Sequence, residues 1–247
     1  MSVYKINKID SLIKDNPYVG RGIILGKSSD GTKAIAVYFI MGRSENSRNR
    51  VFVETGNDVM IKAFDEAKLS DPSLIIYYPL RKLNNTLIVT NGDQTDTVYK
   101  GIKEGKSFAE ALKSRRFEPD MPNLTPRISG IIQYKTADAD NMTGGEMSYE
   151  LSILKSGDES GTVCNRYTFS YEAINGLGHF IHTYQGDGNP LPTFVGEPDR
   201  VELSGNLEAF VENVWSNLNE ENKISILGKS IDLSTGEVET IVINKNK

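Results

Sequence analysis

The stretch Gly42-Arg43-Ser44-Glu45-Asn46-Ser47-Arg48-Asn49-Arg50 puts three arginines and two serines into nine positions, directly after an apolar run. Guanidinium forks match phosphate oxygens bidentately, and serine hydroxyls with loop N–H groups can complete such a shell. The segment suits a phosphomonoester; a solvated, salt-bridged turn is the competing reading. A second segment, Asn91-Gly92-Asp93-Gln94-Thr95-Asp96, joins a strand-like run to a helical one, so its N–H groups and side chains can face a ligand. Asp, Asn and Thr are also the usual helix-capping residues.

A third segment, Phe117 to Arg127, packs three prolines, Glu118, Asp120 and Arg127 into one loop. Prolines lower loop entropy and help fix carboxylates. A carboxylate held beside an arginine can act as a base or an orienter, and a stiff connector would read the same way. His179 and His182 do not make a metal box: on a strand they point to opposite faces, and no third ligand is evident. Loss of Met1 would expose Ser2 as a terminal nucleophile, yet a polar run of about fifteen residues precedes the first strand-like segment, so activation by its own amine is not expected. The motifs for Walker A, Rossmann, HExxH and G-x-S-x-G are absent.

The elements that must carry these residues are mostly strands. Arg21–Leu25 and Lys33–Met41, separated by Ser28-Ser29-Asp30-Gly31, predict a hairpin. Strand-like runs follow at Arg50–Glu54, Val59–Phe64, Leu74–Leu80 and Asn85–Thr90, which together read as a meander. Between Asp93 and Lys113 the pattern turns helical, with the capping-box pattern Ser107-Phe108-Ala109-Glu110. Strands resume at Ile128–Tyr134, Met147–Leu154, Asn165–Tyr171 and His179–Tyr184, interrupted by a Gly-rich, acidic stretch around Asp138–Gly145. Leu207, Phe210, Val211, Val214, Trp215 and Leu218 fall at helical spacing behind Ser204 and Asn206, and Lys223–Leu233 with Val238–Ile243 predict a closing hairpin. Two sets of strands separated by helices suggest two stacked sheets with helices outside.

The 247 residues, 38% hydrophobic and 25% charged, describe an ordinary globular chain, expected to form a single domain. A net charge of -5 argues against a duplex nucleic-acid partner. Cys164 is the sole cysteine, which excludes an internal disulfide and fits a reducing, cytoplasmic setting. Charges scattered through Met1–Tyr18 leave no signal peptide, and the longest apolar run, Ala34–Met41, is far short of the roughly 20 residues of a membrane helix. Symmetric self-association is expected, as for most metabolic enzymes.

Taken in order, Tyr18-Val19-Gly20-Arg21, Gly42-Arg43-Ser44 through Arg50, Asn91 through Asp96, and Thr125-Pro126-Arg127-Ile128 resemble the signature segments of archaeal-type IMP cyclohydrolases, over about residues 16–200. The resemblance implies an α+β fold, the four-layer αββα sandwich of N-terminal nucleophile hydrolases used without the terminal nucleophile. It would occupy residues 1–247 as one domain, with 1–15 as an N-terminal extension and 204–247 as a C-terminal helix and hairpin. The implied activity is dehydrative closure of 5-formamidoimidazole-4-carboxamide ribotide to IMP, formally the reverse of hydrolysis of a cyclic amidine. It needs no cofactor and no metal, and its partner is a small purine nucleotide. Matching positions puts Arg43 and Tyr77 beside the formyl oxygen and Glu118 near the carboxamide. Arg21, Arg48, Arg50, Ser44 and Ser47 become candidates for phosphate and ribose, and Asn91, Asp93, Thr95 and Arg127 for the base. The Pro-rich loop after Phe117 departs from the archaeal pattern, which points to a bacterial branch. A nucleotide-binding protein without catalysis and an amidohydrolase on the same sandwich are the competing functions.

Overall fold

The computed structural model of the protein describes residues 4–69, 76–137 and 145–247. Ser2, Leu74 and all but the last residue of the stretch 138–145 lie outside the described residues.

The hairpin β1 (Arg21–Lys27) and β2 (Lys33–Met41) shows why the architecture has two faces to cover. Along β2, Ala34, Ala36, Tyr38 and Ile40 belong to one buried cluster, while Ile35, Val37, Phe39 and Met41 belong to another. A strand alternates its side chains between faces, so an unbroken apolar run means that both faces are covered. On one side lies a second sheet. On the other lie α1 (Ile9–Ile13) and α5 (Leu207–Asn217), whose Leu207, Phe210, Val211 and Val214 are buried there. Asn206 caps α5, accepting from Ala209 N at 2.8 Å.

The first sheet has the order β11-β10-β1-β2-β12-β13, with β10 (Leu177–His182), β11 (Asp199–Glu202), β12 (Lys223–Asp232) and β13 (Val238–Asn244). The second runs β3 (Arg50–Thr55), β4 (Asp58–Ala63), β5 (Leu80–Leu83), β6 (Thr86–Thr90), β7 (Arg127–Lys135), β8 (Glu146–Ser156) and β9 (Cys164–Glu172), each beside the next. The pairings within both sheets are antiparallel. The outer face of the second sheet packs Ile88, Ile131 and Leu154 against Val98 of α3 (Gln94–Lys103), Phe108 of α4 (Phe108–Ala111) and Leu112. The capping box at Ser107 and Glu110 is formed.

Two sequence expectations need correcting. Of the strand expected over Leu74–Leu80, the described residues 76–79 are not regular strand, and β5 covers Leu80–Leu83: Tyr77 lends its carbonyl to Ile61 N at 2.9 Å, but Pro79 has no N–H, and regular pairing starts at Leu80. The first third is not one meander, because the chain changes sheets between β2 and β3 through 42–49, which holds the short helix α2 (Glu45–Arg48). The sheets therefore do not divide the strands into early and late sets. The polar N-terminal run contains α1, whose Ile9 and Ile13 are buried. The helix and hairpin expected over 204–247 are α5 and β12–β13, and β12 lies between β2 and β13 inside the first sheet. Among the described residues no helix is long and apolar enough to cross a membrane.

Candidate functional site

Six strand ends meet at one end of the two sheets: the starts of β1, β3 and β7 and the ends of β2, β6 and β10. The register places Arg21 opposite Ile40, Gly22 opposite His182 and Thr90 opposite Ser129. Arg21 opens β1 and Arg50 opens β3, so both guanidiniums are carried by strand ends next to the inter-sheet core. Arg50 is 1% exposed and donates from Nε to Ser47 O at 2.7 Å. Arg21 is half-buried, and its Nε is buried with no hydrogen-bond partner.

Glu118 is 4% exposed and lies close enough to Arg21, Arg127 and Arg50 to feel their charges. Yet among the described residues its carboxylate makes no ion pair within 4.0 Å and no side-chain hydrogen bond. Burial pushes the Glu118 carboxyl above its ordinary range, and the three arginines oppose that without overcoming it. The balance reverses at Arg21. Burial disfavours its charge, but Glu118 and the hydroxyls of Tyr18, Tyr184 and Tyr77 outweigh burial and raise it. Tyr77 and Tyr38 share a buried 2.9 Å hydrogen bond, and burial raises both phenols. Burial lowers Arg50, and the like charge of Arg21 lowers it further.

The loop that carries Glu118 is held by its own polar groups. Glu118 N donates to Thr125 O at 2.9 Å, and Thr125 N donates to Asp120 Oδ1 at 2.6 Å. Thr125 Oγ1 also bonds the other Asp120 oxygen and shares a 2.5 Å hydrogen bond with the Tyr184 hydroxyl. Tyr184 stacks on Tyr18 with ring centroids 5.9 Å apart. Gly20, between Tyr18 and Arg21, has φ +76°, and a Cβ there would lie 2.1 Å from Thr183 Oγ1 and 2.6 Å from the Tyr184 ring. Only glycine allows that approach.

The segment from Asn91 to Asp96 supports the floor of the cluster. Asn91 donates to Pro126 O at 2.8 Å and accepts from Ile128 N at 2.9 Å, fixing the start of β7. Thr95 shares a 2.6 Å hydrogen bond with Thr90. Arg127 donates to Gln94 at 2.5 Å and pairs with Asp93 at 2.8 Å, and Asp93 also bonds Arg115. Burial works against the Asp93 carboxylate, but these two arginines keep it below its ordinary range. Arg127 thus has its anion already and reaches Glu118 through its field.

The remaining nominated residues lie outside. Arg43 is exposed, pairs with Asp187 at 2.5 Å and sits 5.1 Å from the centroid of the Tyr18 ring. Ser44 and Ser47 cap α2 reciprocally, and Arg48 donates to Gly42 O and Asn222 Oδ1 at 3.1 Å each. The structure therefore brings Arg21, Arg50, Tyr77 and Glu118 together, backs them with Asn91, Asp93, Thr95 and Arg127, and leaves Arg43, Ser44, Ser47 and Arg48 around the rim. His179 faces the inter-sheet side, where its Nδ1 meets Tyr149 OH at 2.7 Å, and His182 lies 4.8 Å from the Phe180 ring. Among the described residues no three His, Cys, Asp or Glu side chains converge as for a metal.

The model of the IMP cyclohydrolase-like protein family matches residues 18–236, from the tyrosine stacked beside the site to the turn of the last hairpin. The chain belongs to that family. A Methanopyrus kandleri protein named IMP cyclohydrolase is 32% identical over 144 residues, covering 57% of this chain and 71% of the relative. A Methanococcus maripaludis (strain C7) protein of the same name is 30% identical over 173 residues, covering 68% and 82%. With the Methanococcus aeolicus protein, also so named, the 32% identity extends over 124 residues and 60% of the relative. The IMP cyclohydrolase-like match runs past residue 200 to take in α5 and β12, in keeping with their place inside the first sheet.

Within this member of the IMP cyclohydrolase-like family, sequence reasoning missed Tyr38, Tyr184 and Gln94 as parts of the site and named Asp120 only as one of two loop carboxylates, with no role of its own. Tyr38 sits in an unbroken apolar run, where a tyrosine reads as core. Asp120 and Gln94 stood inside segments already singled out, and the signal was there: each is a polar residue one or two positions from a nominated one.

Proposed function

We propose that the protein is an IMP cyclohydrolase, closing 5-formamidoimidazole-4-carboxamide ribotide to IMP with loss of water. The reading rests above all on Arg21 and Glu118: opposite charges within each other's field and not paired, Glu118 buried and Arg21 half-buried with its Nε buried and unpartnered. Two such groups held apart leave hydrogen-bonding capacity for a polar ligand, because an unpartnered buried ion is costly unless something completes it.

In the reaction the carboxamide nitrogen attacks the formyl carbon, a C–N bond forms, and the formyl oxygen becomes a hydroxyl. The resulting carbinolamine then expels that hydroxyl as water. Both reacting groups belong to one molecule, so the enzyme must fold them together, remove a proton from a poor amide nucleophile and stabilise charge on the oxygen. Glu118 accepts the carboxamide proton; its raised pKa makes it a stronger base than an ordinary carboxylate. Tyr77 and Arg21 donate to the formyl oxygen, with Tyr38 orienting the Tyr77 hydroxyl. Arg50 adds positive field. We assign Arg43, on the rim against Tyr18, to the nucleotide's phosphate end rather than to the reacting oxygen, because it is exposed and already paired with Asp187.

Two sheets enclosing a core, with α1 and α5 outside one and α3 and α4 outside the other, support reading the whole chain as a single αββα sandwich of the N-terminal nucleophile hydrolase type. The first test is absorbance-monitored conversion of the formylated ribotide by chelator-treated protein. Conversion without added metal or folate supports the reading. IMP binding with no conversion would overturn it in favour of a nucleotide-binding protein.

A further inference from the structure

The last strand of the second sheet, β9, ends that sheet with nine residues, and no described segment pairs with its outer edge. A long free edge is a template for another strand, and proteins that remain single usually shorten, bulge or cover it. Here it is regular: β9 stays in register with β8 from Cys164 to Glu172 without a bulge.

Its sequence is self-complementary. Around Phe169, Arg166 mirrors Glu172, Tyr167 mirrors Tyr171, and Thr168 mirrors Ser170. If two copies of the strand pair antiparallel about a two-fold axis at Phe169, these mirror positions become cross-strand neighbours. The two faces sort correctly. Phe169 and Tyr171 pack against the inter-sheet core, so the odd-numbered residues point inward, whereas Cys164 packs against the α3–α4 core, so the even-numbered ones point outward. The inward face would gain two Tyr167–Tyr171 contacts and one Phe169–Phe169 contact. The outward face would gain two Arg166–Glu172 ion pairs flanking Thr168–Ser170 contacts. Aromatic, hydroxyl and opposite-charge pairs are those that stabilise antiparallel neighbours. Tyr167, 44% exposed in the single chain, would be covered.

We propose that β9 is a homodimer interface: two copies of this chain pair edge to edge about Phe169, joining their seven-stranded sheets into one continuous sheet. A two-fold contact must be complementary to itself, and this strand is so in charge, ring and hydroxyl content. Arg166 can take up the partner carboxylate while keeping its bonds to Cys164 O, Lys113 O and Arg115 O, since a guanidinium has five N–H donors and these use three. The inference does not depend on the proposed activity.

The test is a charge swap read by sedimentation equilibrium or light scattering. The wild type is expected to be dimeric at micromolar concentration. Arg166→Glu and Glu172→Arg each set like charges opposite one another twice per dimer, and each is expected to weaken association by at least roughly tenfold. The double swap restores opposite pairs and is expected to recover most of the affinity, which also shows that the single variants fail through pairing and not folding. A monomeric wild type, or a dimer indifferent to both single swaps, would overturn the proposal.

Discussion

Glu118 is a carboxylate kept out of water beside three cations and bonded to none of them, so its ionisation is opposed by burial and favoured only through space. Replacing it by glutamine keeps size and removes the base. Glu118→Gln is expected to lower turnover by roughly a hundredfold or more with IMP affinity largely kept, as steady-state kinetics and a binding titration would show. The sign of the pH dependence follows. A raised pKa means that the base is protonated, and idle, up to a pH above the ordinary 4.5, so the acid limb of wild-type turnover should inflect above 4.5 and vanish in the glutamine variant. An inflection at or below 4.5 would rule Glu118 out as the base. At Arg21, lysine keeps the charge but loses the planar fork; Arg21→Lys is expected to cost roughly tenfold in kcat. At this scale the sequence was partly legible. The string from Arg43 to Arg50 announces anion chemistry, but composition alone does not say which guanidinium turns inward. That is decided by Arg50 being the first residue of a strand on the core while Arg48 ends a surface helical turn and Arg43 lies just before it.

Elements fix these side chains through close approaches that sequence patterns do not encode. The bend into β1 depends on Gly20, where a methyl group would collide with Thr183 and Tyr184 in a backbone conformation that L-residues avoid. Gly20→Ala is expected to lower stability by roughly 2 kcal/mol, measurable as a shift of the urea midpoint, and to reduce turnover by displacing Arg21. A variant with unchanged stability would mean that the bend does not need glycine. Legibility was high for elements defined by burial alone: the unbroken run in β2 and the helical spacing from Leu207 to Leu218 each record a face that must be covered. It was low wherever the question was which strand lies beside which. The strands from β3 to β6 look continuous with β1 and β2 because alternation records burial but not partner, and the change of sheet at 42–49 leaves no mark in hydropathy.

For the molecule as a whole, two buried histidines tie stability to acidity. Burial holds both His179 and His182 down to about 4, with the charge of Arg200 adding to it at His179 and the Tyr184 carbonyl opposing it at His182. Their pKa values fall on folding, so the unfolded chain takes up these protons first. Stability is therefore lost as pH falls from the ordinary 6.5 towards 4, with no further loss from these two groups below that. For His182 the full effect is about 3 kcal/mol. Calorimetry across that window should show a falling Tm, with a shallower fall in His182→Phe; a flat profile would contradict their burial as neutral groups. Glu118 has the opposite slope, since its raised pKa favours the folded state as pH falls. Deleting 204–247 is expected to leave no cooperative thermal transition, because it removes β12 from the middle of the first sheet. That position has a consequence in time as well as in space. Residues 33–41 pair with 223–232, so during synthesis β2 waits with an open, apolar edge until residues 223–232 have left the ribosome. The sheet that carries Arg21 thus cannot close before then, and the nascent protein depends on shielding of that edge while the residues between the two strands are synthesised.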